Sequence, residues 1–476
     1  MKNYFWENLN NFGTQTALIE AETEKEITYS NLDKLTDEIA EKLLSDKKEL
    51  IFLFTSNSIL SIAAYIASLK STNAVLLLDK KLNEEIINEL IETYHPAVII
   101  ADENIHPDGY ERKTINILSN CYFRKEQKEY EIHPSLKVLL STSGTTGSPK
   151  LVRLSAENIQ SNAESIVEYL EIDENEKPIT TLPFNYSYGL SVINSHLIKG
   201  STIVLSDKTV FFKEFWSDFK KFECTSFAGV PYSYQMLKRA GFDKLDLPSL
   251  KTFTQAGGKL NEEMIRFFSD YAVRNDKRFF VMYGQTEATA RISYVPFQKL
   301  SSKIGSIGIS IPGGKLKLMN DGVEITNPNQ IGEIVYEGPN VMLGYAEDIS
   351  DLAKGNELDY ILHTGDLGYF DEEKFYYITG RMKRFIKIYG LRINLDEVQK
   401  MIENNFHIAT ACTGEDEKLK ILIESNDPIE MKIKQKVCEY YKLNPQSVMI
   451  KETEHIPTKP SGKYDYLKIA LLFLIS

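Results

Sequence analysis

The chain has 476 residues, of which 42% are hydrophobic and 26% are charged, and its formal net charge is −12. This length exceeds one ordinary hydrophobic core, so we expect two or more domains, and the composition is that of a globular rather than a disordered protein. The acidic balance, without a cluster of lysine and arginine among aromatic residues, argues against nucleic acid as a partner.

Histidines and cysteines show no metal-binding spacing. The 7 histidines are scattered and the 4 cysteines form no C-x-x-C pair, which fits a reducing compartment. The N-terminus lacks the apolar core of a signal peptide. The apolar run 470–475 is far shorter than the roughly 20 residues of a membrane span, so we expect it to pack as a helix face on its own domain. These patterns predict a cytoplasmic protein without a stable membrane span.

The first third of the chain alternates helices with short apolar strands. Ser30 is the predicted N-cap of a helix in which Leu32, Leu35, Ile39 and Leu43 recur at helical spacing. Further helices are predicted at 59–69 and 83–94, and strands buried on both faces at 50–54, 74–78 and 97–101. This alternation predicts a doubly wound α/β sheet.

A similar alternation returns after residue 150. Helices are predicted at 155–169 and 211–221, and strands at 201–205 and 225–228. After about Ser301, glycines separate short apolar runs, which predicts a β-rich subdomain with tight turns. The last hundred residues predict a small α+β unit. We place the domains at 1–382 and 383–476.

A glycine-rich loop, residues 142–150, gives the strongest local signal. It follows a predicted strand at 138–140 and precedes the helix that begins near Ser155. Small residues let backbone N–H groups approach an anion, hydroxyls add donors, and Lys150 adds a positive charge. Gly144 and Gly147 are too close for a Walker loop, which needs G-x-x-x-x-G-K-[ST]. The flanking strand and helix favour a phosphate loop of another design over a flexible linker.

The segment Ser143–Lys150 resembles the signature loop of the adenylate-forming superfamily, which includes acyl-CoA synthetases, firefly luciferase and the adenylation domains of nonribosomal peptide synthetases. Four more segments resemble the family's other motifs, in the family's order: Tyr283–Ala288, His363–Gly368, Gly380–Lys387 and Pro457–Lys463. Together they cover nearly the whole chain. The resemblance implies a large N-terminal domain, a small mobile C-terminal domain, and activation of a small carboxylic acid with ATP and Mg²⁺.

The same resemblance assigns residues to the nucleotide. Tyr283 is expected to stack on adenine, Asp366 to accept both ribose hydroxyls, Thr286 to contact the α-phosphate, and Glu287 to give Mg²⁺ an oxygen ligand. The complete set of residues implied to bind ATP, beside those with catalytic roles, is Thr142, Ser143, Gly144, Thr145, Thr146, Gly147, Gly257, Gly258, Tyr283, Gly284, Asp366 and Arg381.

Catalytic roles are implied for Lys463, Thr286, Glu287 and Lys150. Lys463 matches the family's lysine that bridges the substrate carboxylate and the α-phosphate, where positive charge stabilises the transition state. Lys383 matches the hinge at which the C-terminal domain rotates after adenylation.

The acid-binding residues are expected to be Asn185, Tyr186, Gly229 and Ala256. Amino-acid-activating members carry an Asp in the segment resembling Phe184–Leu190, at the position we give to Asn185. A neutral amide cannot balance a buried ammonium, which disfavours free amino acids. Asn185 either hydrogen-bonds a hydroxyl or carbonyl of the acid or is a loop amide satisfied by the backbone, and the sequence leaves both readings open.

The acyl acceptor is expected to be a thiol, of coenzyme A or of the phosphopantetheine on a separate acyl carrier protein. Gly390 would let the pantetheine arm pass close to the backbone. Two alternatives stay open: transfer to a non-thiol nucleophile such as an amine, and nucleotide binding without catalysis. The second alternative is disfavoured by a set of intact residues that catalysis would need: Lys150, Thr286, Glu287, Asp366, Arg381 and Lys463.

Overall fold

The computed structural model describes residues 4–101, 105, 107–126, 128–141, 150–320, 322–381, 385–425, 428–457, 464 and 466–473. The chain divides into two compact units. The larger unit comprises the residues up to 141 and residues 150–380, and the smaller unit begins at residue 381. The domain boundary predicted between residues 382 and 383 falls outside the described residues and stays a prediction.

Strands and helices alternate through the larger unit. Its first part contains β1 (Thr16–Glu20), β2 (Glu26–Thr28), α1 (Tyr29–Leu43), β3 (Leu50–Thr55), α2 (Ile59–Lys70), β4 (Ala74–Asp79), α3 (Glu84–Tyr94), β5 (Val98–Ile100), β6 (Tyr110–Ile115), β7 (Leu118–Arg124) and β8 (Leu136–Ser141). Its middle part contains β9 (Leu151–Ser155), α4 (Ala156–Leu170), β10 (Pro178–Ile179), α5 (Ser187–Leu197), β11 (Ile203–Leu205), α6 (Lys213–Lys221), β12 (Ser226–Gly229), α7 (Pro231–Arg239), β13 (Thr252–Gln255), α8 (Glu262–Arg274), β14 (Arg278–Tyr283), β15 (Ser293–Tyr294) and β16 (Ile309–Ser310). Its last part contains β17 (Lys315–Asn320), β18 (Val323–Glu324), β19 (Gly332–Glu337), β20 (Gly344–Ala346), β21 (Ile361–Phe370) and β22 (Tyr376–Arg381).

The described strands of this unit form three sheets. One has the order β20-β9-β8-β4-β3-β5-β7-β6, and another has the order β16-β15-β14-β13-β12-β10-β11-β1-β2. Their central pairs, such as β4–β3–β5 and β12–β13–β14, are parallel, whereas outer pairs such as β6–β7 and β14–β15 are antiparallel. The third sheet, β18-β17-β19-β21-β22, has antiparallel β17–β19 and β19–β21 pairs. The predicted α/β class with a β-rich subdomain is confirmed.

Strand β3 shows how the apolar runs become doubly covered strands. All six of its side chains are buried. Because alternate residues of a strand point to opposite faces, Ile51 and Leu53 pack with α1 and α2, whereas Phe52 and Phe54 pack with α3. Helices therefore cover both faces of this sheet, as the doubly wound prediction requires.

The prediction that Ser30 caps α1 is wrong. The N-cap is Thr28, whose Oγ1 accepts a hydrogen bond from the Asn31 amide at 3.3 Å. Tyr29 already occupies the first helical position. Ser30 lies one position further into the helix, and its hydroxyl donates to Asn10 Oδ1 at 2.9 Å.

The helix predicted to begin near Ser155, after the glycine-rich loop, is confirmed as α4, but a strand lies between the loop and this helix. Strand β9 intervenes and pairs antiparallel with β8, with Ser141 and Leu151 as register partners. Ser155 ends β9 and caps α4 through a capping box with Asn158. The predicted phosphate loop therefore joins two neighbouring antiparallel strands.

The smaller unit is α+β, as predicted. It contains β23 (Phe385–Ile388), β24 (Leu391–Asn394), α9 (Leu395–Phe406), β25 (Thr410–Glu415), β26 (Lys418–Glu424), α10 (Glu430–Tyr441), β27 (Val448–Thr453) and α11 (Tyr466–Leu472). Strands β25, β26 and β27 form one sheet and β23–β24 a separate hairpin. Ile469 and Phe473 pack against Ala411 and Leu422 of β25 and β26, whereas Leu472 is exposed. Residues 474 and 475 lie outside the described residues, so the helix face predicted for 470–475 stays a prediction. Among the described helices, none combines the length and apolarity that a bilayer crossing requires.

Candidate active site

The motif Tyr283–Ala288 lies where the parallel strand β14 ends. Tyr283 is the last residue of β14, and a short 3-10 turn over Thr286–Ala288 follows. Ligands of α/β sheets bind at the carboxyl ends of such strands. A Cβ at Gly284 would lie 1.7 Å from the Ala290 carbonyl oxygen, so only glycine lets the two segments pack this closely.

Tyr283, Gln285 and Asp366 form one hydrogen-bonded cluster that joins β14 to β21. The Tyr283 hydroxyl donates to Asp366 Oδ2 at 2.5 Å, and Gln285 Nε2 donates to the same oxygen at 3.1 Å. Gln285 Nε2 also donates to the Thr364 carbonyl at 3.0 Å. Asp366 is fully buried. Two residues predicted to bind the nucleotide, 83 positions apart in sequence, therefore lie in direct contact.

Thr286 and Glu287 each contact a residue that sequence analysis did not select. Thr286 Oγ1 lies 3.2 Å from Ser187 Oγ, in the first turn of α5. Glu287 is 1% exposed, and its Oε1 accepts a hydrogen bond from the Tyr345 hydroxyl at 2.8 Å. Tyr345 belongs to β20, which pairs with β9. The motif after β14 is therefore attached to the strand that follows the glycine-rich loop.

Tyr345 also connects this motif to Lys150. The Lys150 Nζ lies 5.7 Å from the centroid of the Tyr345 ring and 2.5 Å from Glu347 Oε1. Both members of this ion pair are about half exposed, so the pair contributes little to stability. Lys150 is therefore able to exchange Glu347 for a phosphate oxygen at small cost.

Tyr186, Gly229, Ala256 and Gly257 lie together at the ends of β12 and β13. A Cβ at Gly257 would be 2.8 Å from Tyr186 Oη, and the Ala256 amide donates to the Gly229 carbonyl at 3.2 Å. Burial raises the pKa of Tyr186 to about 12, so its hydroxyl stays protonated at neutral pH. Gly258, the next residue, faces Pro231 at 3.1 Å, measured from the position of a Cβ.

The structure separates Asn185 from this group. Its Oδ1 accepts a hydrogen bond from Thr55 Oγ1 at 3.0 Å, so its partner there is a side chain and not the backbone. Asn185 lines a polar cleft of about 190 Å³ with Lys80, Lys81 and Lys208, and the described lining of that cleft does not include Tyr186. Of the two adjacent residues predicted to bind the acid, only Tyr186 lies beside Gly257.

Several predicted residues lie outside the described part of the chain: Thr142, Ser143, Gly144, Thr145, Thr146, Gly147, Lys383 and Lys463. Arg381 ends β22, and only its backbone is described. Gly390 lies in the β23–β24 hairpin of the smaller unit. Among the described residues, no three His, Cys, Asp or Glu side chains come together as a metal cluster. The single carboxylate of Glu287 is a hard oxygen donor of the kind that Mg²⁺ uses, since Mg²⁺ keeps most of its ligands from water and phosphate.

Sequence analysis missed four side chains at this site: Ser187, Gln285, Tyr345 and Arg291. Ser187 and Gln285 lie inside segments that carried the family resemblance, so the signal for them was present. Tyr345 and Arg291 lie outside every motif. Arg291 is 1% exposed and stacks on Tyr188, with its guanidinium carbon 4.1 Å from the ring centroid.

Comparison with known proteins agrees with this geometry. A sequence model of the family described as AMP-binding enzyme matches residues 5–346, which include β14, Thr286, Glu287 and Tyr345. The chain belongs to this family. This match confirms the resemblance to the adenylate-forming superfamily that the sequence motifs of the chain indicated.

Several curated relatives of this AMP-binding enzyme are named as CoA ligases, and others are named luciferin 4-monooxygenase. A probable CoA ligase of Humulus lupulus is 28% identical over 433 residues, which cover 83% of this chain and 77% of the relative. A probable 4-coumarate–CoA ligase of Dictyostelium discoideum is 32% identical over 279 residues, which cover 57% of this chain and 49% of the relative.

Solved structures share the fold over nearly the full length. The o-succinylbenzoate CoA synthetase (MenE) of Bacillus subtilis matches with a TM-score of 0.79, 21% identity and 97% coverage of each chain. The amide bond synthetase McbA of Marinactinospora thermotolerans matches with a TM-score of 0.77 and 18% identity, covering 99% of this chain and 100% of the other. At these identities the likeness establishes the fold.

Proposed function

We propose that this enzyme joins a small carboxylic acid to AMP and then transfers the acyl group to a thiol. The observation that carries the proposal is the convergence of Tyr283, Thr286, Glu287 and Asp366 at the end of β14, with Lys150 reached through Tyr345. In the first step a carboxylate oxygen bonds to the α-phosphorus of ATP. The bond from that phosphorus to the bridging oxygen breaks, and pyrophosphate leaves.

Charge is the main obstacle to this step, because two anions must approach each other and negative charge spreads over the phosphoryl oxygens. Thr286 would donate its hydroxyl to the α-phosphate, and Lys150 would bind the β- and γ-phosphates with the glycine-rich loop. Asp366 would orient the ribose, since a carboxylate has acceptor oxygens for two neighbouring hydroxyls. Tyr283, which already hydrogen-bonds Asp366, would stack on the adenine ring.

Glu287 fits an ATP-bound Mg²⁺ by donor chemistry. Its carboxylate is buried, and the Tyr345 hydroxyl fixes one of its oxygens. When bound, Mg²⁺ would neutralise charge on the phosphates of ATP. The neighbouring Thr286 and Lys150 would hold the same phosphates in position for attack by the acid.

For the second step, acyl transfer to the thiol, the residue roles are proposed from sequence motifs. Lys463, Lys383 and Arg381 are proposed from their motifs to act in adenylation and in the rotation of the smaller unit, and Gly390 to admit the pantetheine arm. Those relatives that are named as CoA ligases support coenzyme A as the acceptor. A carrier protein bearing phosphopantetheine, or an amine, would leave the first step unchanged.

The test is a panel of carboxylic acids in ATP–pyrophosphate exchange, followed by mass spectrometry of the products formed with coenzyme A, with a carrier protein or with an amine. We expect exchange with at least one acid and a thioester as the final product. Lys463→Ala should lower exchange at least about a hundredfold, because it removes a charge from the transition state. It should spare thioester formation from supplied acyl-adenylate.

The exposed Lys468 gives a matched control, since it lies near Lys463 in sequence on the solvent side of α11. Lys468→Ala should retain exchange. Absence of exchange with every acid would refute adenylate formation, whereas an amide product in place of a thioester would refute the thiol acceptor alone.

A further inference from the structure

Arg291 is one of two arginines among the largest fully buried side chains, and the two differ in how their charge is compensated. Arg153 is fully partnered: its Nε donates to the Tyr345 carbonyl at 3.0 Å, its Nη1 donates to the Lys354 carbonyl, and its Nη2 donates to the Glu357 carboxylate. Within the described part of the chain, neither Nε nor Nη1 of Arg291 has a hydrogen-bond partner, and no carboxylate pairs with it.

The surroundings of Arg291 do not neutralise it. A guanidinium stays protonated inside proteins, so it cannot escape by losing its charge. The Tyr188 ring lies under it and gives partial stabilisation by a cation–π contact. Burial raises the pKa of Tyr188, so that residue is a neutral phenol and not a counter-ion. An uncompensated buried cation is costly, so a bound partner of opposite charge at this position would be strongly favoured.

Arg291 lines a cavity. It has a volume of about 30 Å³, which is room for about two waters or one small polar group. Val192 and His196 of α5, Ala228 of β12 and Thr254 of β13 line it together with Arg291. Glu176 also reaches this cavity, but its carboxylate already lies within 4.0 Å of Arg278 and Lys251 nitrogens and accepts from Thr225.

Strand geometry connects this cavity to the acid-binding group. Thr254 and Ala256 are two residues apart at the end of β13 and therefore share one face of the sheet, and Ala228 directly precedes Gly229. Tyr188 directly follows Ser187, which contacts Thr286, and its hydroxyl bonds Thr254. Ala228 and Thr254, which line the cavity with Arg291, are thus neighbours in sequence or on one strand face of Gly229 and Ala256 in the acid-binding group.

The backbone that delivers Arg291 is held in an unusual conformation. Thr289 and Ala290 both have positive φ, 57° and 117°. Asn340 fixes this turn, because its Nδ2 donates to the Ala288 carbonyl at 2.7 Å and to the Arg291 carbonyl at 2.9 Å. Strain of this kind persists where surrounding contacts enforce it and is common at ligand sites.

We infer that the acid activated by this enzyme carries a second anionic group, a distal carboxylate, which binds Arg291 at the cavity that Arg291 lines. This inference rests on the proposed function and names its substrate class. The free donors of Arg291 would hydrogen-bond the distal carboxylate while the other carboxylate reacts near Thr286. The pair forms only when substrate is bound, so Arg291 acts as a specificity-determining residue.

The test compares acids that differ only at the far end. Glutarate and pentanoate form a linear pair, and terephthalate and 4-methylbenzoate an aromatic pair, each assayed in ATP–pyrophosphate exchange. We expect the wild type to favour the diacid of at least one pair by about a hundredfold in kcat/KM, because a site built around a buried charge rejects a ligand that leaves it unpaired. Arg291→Met should reduce that ratio to about one.

Arg278→Met is the matched control. Arg278 lines the same cavity, but Glu171 and Glu176 already pair with it, so its loss should retain the preference for the diacid. A wild type that activates monoacids as well as diacids overturns the inference, and so does an equal change of ratio in both variants. If no acid of either kind supports exchange, the proposed function fails and the inference fails with it.

A separate measurement checks that the Arg291→Met variant folds. Replacing an unpaired buried charge by an apolar side chain of similar length is expected to keep or raise the melting temperature. A second measurement needs no variant: glutarate or terephthalate should raise the melting temperature of the wild type, and its monoacid partner should not. Equal shifts by both members of each pair would contradict the role of Arg291.

Discussion

At the scale of single residues, the polar groups of this site are fixed by one another. Tyr345 donates a hydrogen bond to Glu287, Tyr283 donates one to Asp366, and the hydroxyls of Ser187 and Thr286 hydrogen-bond each other. Partners that hold a functional side chain in one orientation keep it ready for charge that develops during reaction. Their removal should therefore affect turnover more than folding.

Tyr345→Phe tests this view, since it removes only the hydroxyl that donates to Glu287. A hydrogen bond to a charged group contributes about 1.5–3 kcal/mol, so kcat/KM for adenylation should fall at least about tenfold. The Mg²⁺ concentration that supports half-maximal pyrophosphate exchange should rise, because the Glu287 carboxylate loses its orientation. Tyr110→Phe serves as the control, since that hydroxyl donates to the Pro96 carbonyl away from the site. An unchanged Mg²⁺ requirement would show that Tyr345 does not orient Glu287.

A second residue prediction separates Tyr186 from Asn185. Tyr186→Ala removes the ring beside Gly257 and should let the enzyme accept bulkier acids, measured as a changed ranking of acids in pyrophosphate exchange. Asn185→Ala should keep the ranking, because Asn185 bonds Thr55 in another cleft. If Asn185→Ala changes the ranking and Tyr186→Ala does not, the sequence-based choice of Asn185 was right.

Sequence could predict which motifs meet at this site but not which side chain of a loop faces it. The motifs assigned Thr286, Glu287 and Asp366 to the same nucleotide, and in the structure Tyr283 and Gln285 of the first motif hydrogen-bond Asp366. Asn185 and Tyr186 lie in the loop before α5. Without helical or strand periodicity there, the sequence does not show which of the two side chains faces the acid. Arg291 is a charged residue at a buried position, and only tertiary structure shows that its charge lacks a partner.

At the scale of elements, turn chemistry decides several positions. The β23–β24 hairpin has a two-residue turn in which Tyr389 has φ 50° and Gly390 has φ 85°. Positive φ at both central residues is the turn geometry that matches the twist of paired strands. Gly390 is thus explained by the turn, and its proposed role toward the pantetheine arm needs a separate measurement.

Gly390→Asn and Gly390→Ala provide that measurement. Asparagine tolerates the left-handed conformation, whereas alanine is strained there by about 1 kcal/mol. Nothing lies within 4 Å of a Cβ at this position, so neither variant meets a clash. If the thiol arm passes Gly390, both variants should slow thioester formation and keep pyrophosphate exchange. A full thioester rate in Gly390→Asn would leave Gly390 with the turn role alone.

At the scale of the whole molecule, buried ionisable groups set the pH range of stability. His196 is buried in α5, and its Nδ1 donates to the Val192 carbonyl at 2.8 Å. Burial lowers its pKa from 6.5 to about 4. Because the folded state binds the proton less readily than the unfolded state, the contribution of neutral His196 is full above about pH 6.5 and is lost as pH falls through about 4.

The lowered pKa of His196 should make the protein less stable in acid. The free energy of unfolding should fall between pH 6.5 and 4 by up to about 3 kcal/mol on account of His196. Urea unfolding at several pH values measures it. His196→Asn should flatten the dependence in this window, whereas the exposed His455→Asn should not. Equal slopes for wild type and His196→Asn would show that this histidine is not the group that titrates.

The large-scale architecture was also predictable in part. Continuous apolar strands between helices fix the α/β class, because only strands covered on both faces need such runs. The pairing of β20 with β9 was not predictable, since it joins residues almost 200 positions apart through three backbone partners. That pairing is what carries Tyr345 to Glu287.

The turn held by Asn340 has one more consequence. Thr286 and Arg291 belong to the same short stretch of backbone, and Asn340 clamps that stretch at two carbonyls. Asn340 therefore fixes the backbone from Ala288 to Arg291, which follows Thr286 and Glu287 directly. A backbone held in this way limits how far Arg291 can move relative to Thr286. If the acid binds Arg291 as proposed, we expect this fixed backbone to select acids by the number of atoms between their two carboxylates.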